Sequence, residues 1–475
     1  MSYWGGLVGL YRRFAGWMMR RMPNERQRLL AVTILAGGLC GLAAVAFHLT
    51  IGRLEAWFID RATAAPGHSW IWWTILSPAI GGALAGVGLV YWVPGAAGSG
   101  IPQVKVAYAL RSGLVPFKDA IGKFIFCSLM IGTGGSLGLE GPTVQICAGV
   151  SSFLARAARL SPKNCRRMAS VGMSAGIAAA FNAPIAAVTF TLEELIGDLD
   201  QTMLSGVIVA AALAAVVENK VLDNKPIFHV PRQYTFDQPS SLLWYALLGV
   251  LAAVVSVAFT DGLLGLRAQF KKLTGIPKWI HPAIGGLATG ALAVVGFLFF
   301  HLNGIAGDPY QTLTLALTGS LGFACMAVYC VLKLAATVCS YSSGGSGGIF
   351  APSLFMGGML GGAVGYLDVM VFHHSADSIG AFAVVGMGAV FAGIVRAPMT
   401  SILIIFEMTR GYGLVLPLMI ANMSAFALAR QWRRVPVYEA LLAQDGIFLH
   451  QEMEPIDPAE AADLPASKAP PPTEP

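Results

Sequence analysis

The sequence predicts an all-α polytopic membrane protein, and three observations carry that prediction. First, 56% of its 475 residues are hydrophobic and only 12% are charged, with a mean hydropathy of +0.66. A soluble domain carries roughly a quarter charged residues. Second, apolar runs recur at 29–51, 70–93, 119–137, 142–155, 168–192 and 203–217, then at 241–265, 279–302, 312–338, 348–367, 379–406 and 413–429. Several are shorter than the roughly 20 residues a full crossing needs, or are broken by Gly and Pro, so half-spanning helices are expected beside full ones. Third, the chain repeats itself. Lys123–Pro142 aligns without a gap to Lys333–Pro352, sharing Lys, Gly-Gly-Ser, a further Gly and the final Pro. Gly172–Glu194 aligns likewise to Gly386–Met408, sharing Gly-Met, Ala-Pro and the pair Glu193/Glu407. Two matches in one order at nearly one spacing mean an internal duplication of two membrane halves.

Taken in order, residues 1–28 mix Trp4, Leu7, Tyr11, Phe14 and Trp17 with arginines, which fits an amphipathic helix on the cytoplasmic membrane surface. No small-residue cleavage signature follows the first apolar run, so an uncleaved first span is expected. Residues 29–217 form the first membrane repeat and 218–240 a polar connector carrying Asn219, Lys220, Asp223, Lys225, Arg232 and Asp237. Residues 241–440 form the second repeat, and 441–475 a cytoplasmic tail, rich in Pro, Ala and Glu beyond 451 and expected to be largely disordered. The net charge of +6 is what basic residues at the membrane ends supply, and no nucleic-acid partner is expected. The seven cysteines mostly lie in apolar segments without metal-ligand spacing and read as small core residues. The eight histidines likewise form no ligand pair, and no phosphate-binding loop is present. No cofactor or metal is expected.

The chemistry centres on Gly134–Pro142 (GGSLGLEGP), where Glu140 is the only charged residue between Lys123 and Arg156. A charge at that depth is costly unless it faces a bundle interior or a water-filled path. Pro142 suits the first turn of a helix, and helix N-termini bind anions through free N–H groups and the positive dipole end. Gly98–Pro102 (GSGIP) and Gly348–Pro352 (GIFAP) repeat the device of permissive glycine before a helix-opening proline. Each alone reads as a helix break with packing glycines. Three together, two of them repeat-related, point to backbone amides aimed at one anion.

The three motifs, in this order, resemble the signature of the CLC chloride channel and transporter family, and the likeness covers most of residues 30–440. It implies a CLC-like inverted-repeat bundle of full and half-spanning helices, without C-terminal CBS domains, acting as a homodimer with one pathway per subunit. By the same resemblance, Ser99 and Tyr438 (in Pro436-Val-Tyr438) supply hydroxyls to the central anion, and the amides of Ile349 and Phe350 complete its ligands. Leu139 and Gly141, flanking Glu140, are counted with the anion-binding residues. Glu140 matches the gating glutamate, which occupies an anion site when ionised and swings out when protonated, and so serves as outer proton acceptor. Glu194 matches the inner proton acceptor of the family's exchangers, where channels usually carry an apolar residue. Its repeat mate is Met408, whereas Glu193 has the acidic mate Glu407, so a structural role suits Glu193. A solvated charge at a helix end is the bland reading of Glu194, since Asp198 and Asp200 follow closely. Ser99 is of the chloride type.

The implied function is a chloride/proton antiporter in the bacterial inner membrane with both termini cytoplasmic, its partners being chloride, protons and lipids. A passive voltage- or pH-gated chloride channel of the same fold is the alternative. An enzyme using Ser99 or Glu140 would need a nearby His, Lys or second carboxylate, and the motifs offer none. Two departures stand out. Leu139 occupies a place where the family usually has Arg or Lys, which implies weaker anion binding at the outer site. Gln103 and Lys105 follow GSGIP where the family often has Glu, which implies a more positive inner side.

Overall fold

The computed structural model describes residues 16, 20–197, 201–222, 234, 240–375 and 377–449. Most of the proposed surface helix at the N-terminus, most of the polar connector, Asp198, Asp200 and the tail beyond Leu449 lie outside the described residues. Within them no β-strand forms, and the chain is a bundle of helices. The first half comprises α1 (Glu25–Glu55), α2 (Ser69–Tyr91), α3 (Ile101–Leu110), α4 (Phe117–Gly132), α5 (Glu140–Ala157), α6 (Pro162–Phe181), α7 (Pro184–Thr191) and α8 (Gln201–Val221). The second comprises α9 (Ser241–Lys272), α10 (His281–Phe300), α11 (Tyr310–Leu317), α12 (Phe323–Ser342), α13 (Phe350–Phe372), α14 (Ser378–Val395), α15 (Pro398–Thr409) and α16 (Val415–Trp432). A short α17 (Val437–Gln444) follows. Among the described helices, eight are long and apolar enough to cross a bilayer, the first running Glu25–Thr63 through a widened turn.

Both ungapped repeat segments fold alike. The runs 168–192 and 379–406 each break into two helices at Asn182 and Arg396, repeat mates that both adopt the left-handed conformation before an Ala-Pro step. Proline then opens α7 and α15 at a first helical position, where its missing N–H costs nothing. Repeat-related helices run antiparallel. A Cβ on Gly82 of α2 would stand 2.3 Å from the Pro282 carbonyl oxygen of α10, and one on Gly286 would stand 2.2 Å from the Pro78 carbonyl oxygen. Ascending α2 thus means descending α10, and glycine is what lets the two backbones touch. This is the geometry of an inverted repeat.

The structure differs from the sequence reading at element boundaries. The first span begins at Glu25, inside the stretch assigned to the surface helix, because Asn24 caps it by accepting the Arg26 N–H at 3.0 Å. α8 continues to Val221, into the polar connector, and α17 straddles the expected start of the tail. The run 312–338 is two helices, α11 and α12, separated by a turn with Gly319 at φ +69°. α3 was hidden as an apolar run by Gln103 and Lys105.

Candidate anion and proton site

Where the two halves meet, their glycine loops are stitched by main-chain bonds. Gly138 and Gly348, repeat mates, exchange both N–H···O bonds, at 2.8 and 2.6 Å. Gly98 donates to the Gly345 carbonyl at 2.9 Å and accepts from the Gly347 N–H at 3.1 Å. Two fully buried lysines, again repeat mates, brace the loops ahead of α3 and α11. Lys123 Nζ donates to the Gly98 carbonyl at 2.7 Å, and Lys333 Nζ to the carbonyls of Gly304 and Ile305 at 2.8 and 3.1 Å. The helices α3, α5, α11 and α13 therefore begin around one junction.

Glu140 is the first residue of α5 and is completely buried. Its carboxylate accepts the phenolic O–H of Tyr310, the first residue of α11, and the Ala351 N–H in the first turn of α13 at 3.3 Å. A negative group thus rests on the N-terminal amides of a half-related helix, a position suited to an anion. Ile349 and Phe350 stand at that same N-terminus, whose amides have no carbonyl within the helix to bond. The Phe350 ring is core, packed against Phe181, Phe190 and Phe391 at centroid distances of 5.9, 5.2 and 4.8 Å.

Ser99 precedes α3, and its N–H donates to the Tyr341 hydroxyl at 3.2 Å. Gly141 explains how closely α5 approaches it, since a Cβ there would stand 2.8 Å from Ser99 Oγ. Tyr438 lies in the first turn of α17, and its phenol is within electrostatic reach of Ser99, Glu140 and Glu194. Both hydroxyls, Ser99 Oγ and Tyr438 Oη, are buried without a hydrogen-bond partner among the described residues. Native structures rarely leave such groups unsatisfied, because each costs about 1–3 kcal/mol. The two hydroxyl groups adjoin one another beside helix N-termini, a donor set whose chemistry suits a small anion.

Glu194 stands apart, in the widened turn Leu192–Ile196 after α7. Its carboxylate accepts from Lys105 Nζ at 2.7 Å, and Lys105 also bonds Glu439. The expectation of a more positive inner side is corrected here: Lys105 lies between two carboxylates, and the group carries a formal −1. Gln103 is structural, accepting the Gly100 N–H at 2.9 Å and donating to the Ala97 carbonyl at 2.8 Å. Glu193 caps α15, accepting from the amides of Met399 and Thr400 at 3.1 and 2.8 Å, while Glu407 caps α7 through Ile185 and Ala186 at 3.1 and 2.7 Å. The exchange is the duplication made visible, and it accounts for Glu193 as architecture.

Two cavities approach the junction. One of about 370 Å³ is lined by Gly98, Gln103, Arg111, Arg267, Tyr341 and Asp445. The other, about 360 Å³, is lined by His48, Leu139, Thr143, Glu218, Asp308 and Tyr310. Sequence reasoning brought together Glu140, Gly141, Ser99, Ile349, Phe350 and Tyr438, with Leu139 at the second cavity, and it missed Tyr310, Lys105 and Glu439. The signal for Tyr310 was present: it lies in the repeat mate of the GSGIP loop.

Fold and site together define an inverted-repeat ion-transport protein whose helix N-termini and buried hydroxyl groups meet between its halves. Residues 81–430 match the family model described as voltage gated chloride channel, and the chain belongs to that family. It is 31% identical over 439 residues to the H(+)/Cl(-) exchange transporter ClcA of Salmonella paratyphi A, covering 90% of this chain and 91% of that one. The relative of the same name from Salmonella typhi matches at the same identity and coverage. Among solved structures, a slow cyanobacterial Cl-/H+ antiporter superposes with a TM-score of 0.80 at 26% identity, covering 88% of this chain and 98% of the other. A CLC-type fluoride/proton antiporter shares the fold, with a TM-score of 0.71 at 22% identity over 87% and 97% of the two chains.

Proposed function

We propose that this integral membrane protein is a secondary chloride/proton antiporter. One observation carries the reading: the buried Glu140 carboxylate rests on the N-terminal amides of α13, where an anion would otherwise bind, close to the orphan hydroxyl groups of Ser99 and Tyr438. An ionised carboxylate competes with chloride for those donors. Protonation removes its charge and with it both the attraction to the amides and the repulsion of chloride. Anion entry and proton uptake thereby become alternatives at one place, which is the requirement for exchange.

In this reading Glu140 is the gate and outer proton acceptor, and Glu194 the inner one. Ser99, Tyr438 and the amides of Ile349 and Phe350 hold the central anion, with Leu139 and Gly141 beside it. The Arg111- and Arg267-lined cavity is the inner vestibule, and the cavity at Leu139 and Tyr310 the outer. The chain sits in a bacterial inner membrane with both termini cytoplasmic, among lipids, as a homodimer. The names of the ClcA relatives support exchange over passive conduction.

Reconstitution in liposomes under a chloride gradient tests the reading. The wild-type protein is expected to drive protons uphill, and Glu140→Gln to keep chloride flux while abolishing proton movement. Absence of uphill proton movement in the wild type establishes the channel alternative instead.

A further inference from the structure

We propose that Glu439 is a second proton-accepting carboxylate at the Glu194 end of the pathway, and that Glu439 and Glu194 share one proton across Lys105. The proposal rests on the antiport reading and names a residue that reading does not contain. Three side chains from distant parts of the chain converge: Lys105 from α3, Glu194 from the turn after α7 and Glu439 from the first turn of α17. Lys105 Nζ bonds an Oε1 atom of each glutamate. The three side chains are only 7%, 8% and 16% exposed, in that order.

One ammonium cannot neutralise two carboxylates, and an uncompensated charge in such a place is costly. Glu439 Oε2 is moreover buried without a hydrogen-bond partner among the described residues. An unpaired carboxylate oxygen beside a group of formal net charge −1 is a place where a bound proton removes the uncompensated charge. The other charged or titratable neighbours are accounted for: Glu193 is bound to the α15 amides, and the Tyr438 phenol adjoins the proposed anion seat.

Glu439 is the more exposed of the two acids, so it meets water first. A hydronium O–H bond breaks as an O–H bond forms at the exposed edge of the Glu439 carboxyl group, rotation of that group carries the proton to the buried side, and it then passes to Glu194 as Lys105 shifts its donation toward the newly ionised Glu439. Nothing is oxidised or reduced. Because Glu439 adjoins Tyr438 in the first turn of α17, the charge state of the dyad bears directly on the tyrosine beside the anion seat.

The test is proton flux in liposomes together with pH-difference infrared spectroscopy of the purified protein. Glu439→Gln is expected to slow uphill proton movement about tenfold, Glu194→Gln by at least as much, and the double variant to abolish it. Both single variants are expected to perturb the same protonated-carboxyl C=O band. Glu439→Asp, which keeps the acid but withdraws it from Lys105, is expected to slow transport about threefold and serves if the first variant does not fold. A wild-type proton rate in whichever folded Glu439 variant is measured, or an unchanged carboxyl band in it, overturns the proposal. If Glu194→Gln is slow while Glu439→Gln is not, antiport stands and the dyad falls. Absence of uphill proton movement in the wild type overturns the antiport reading itself.

Discussion

The two halves of the molecule share a scaffold and differ in their chemistry. Positions that match across the repeat are architectural. Lys123 and Lys333 brace loops, Gly138 and Gly348 bond each other, and Glu193 and Glu407 cap each other's helices. Positions that do not match carry the residues proposed to act in transport. Glu140 stands opposite Phe350, Glu194 opposite Met408, and the free Ser99 hydroxyl lies in the loop whose mate leads to Tyr310. Duplication supplied a symmetric frame with helix N-termini converging from both sides. Asymmetric substitution then placed a carboxylate at one such terminus, the proposed gate. In a duplicated transporter, the places where symmetry fails are therefore where function is sought.

That comparison can be broken at its strongest point first. Lys123→Met and Lys333→Met each remove a buried donor from loop carbonyls, and each is expected to cost about 2–3 kcal/mol of stability. Thermal unfolding in detergent checks this, and a large loss in only one half would refute equal roles for the pair. The next test concerns an unmatched position. The Tyr310 O–H bonds a carboxylate, and a hydrogen bond to a charged group contributes roughly 1.5–3 kcal/mol. Tyr310→Phe frees Glu140 to leave its seat more often, so chloride turnover in liposomes is expected to rise about fivefold with proton coupling retained; a fall in turnover would mean that the phenol assists the anion directly. The smallest effect is expected at the reciprocal caps. Glu193→Ala and Glu407→Ala should each lower stability by about 1 kcal/mol, and flux measurements should return an unchanged proton-to-chloride ratio. A changed ratio in Glu193→Ala would place that residue in the proton path.

Much of this was legible in the chain. The duplication could be read from residues 123–142 and 172–194 and their mates, because helix-opening Gly and Pro residues are hard to replace. Glu140 was conspicuous as a lone charge in an apolar stretch. Tyr310 was not, because the mate of GSGIP is Gly307–Gln311 (GDPYQ), which keeps only the first, positive-φ glycine. Lys105 read as an excess positive charge because its two partners lie 89 and 334 residues away. Sequence spacing reports helix faces and turns, and it carries no trace of charges that meet only in three dimensions. The break between α11 and α12 was lost for a different reason: Thr318–Gly322 (TGSLG) interrupts the apolar run for only five residues.

The stitched glycine loops have a mechanical consequence. Many transporters with inverted repeats alternate access by rocking one half against the other. Here the proposed seat lies on the seam itself, and four main-chain bonds would have to rupture for the halves to rock apart around it. In the proposed mechanism access alternates by rotation of individual side chains within a stationary frame, and such rotations are faster than slow domain motion. An exchanger of this proposed construction is one torsion away from being a leak, and its coupling depends on how rarely the Glu140 carboxylate lets go.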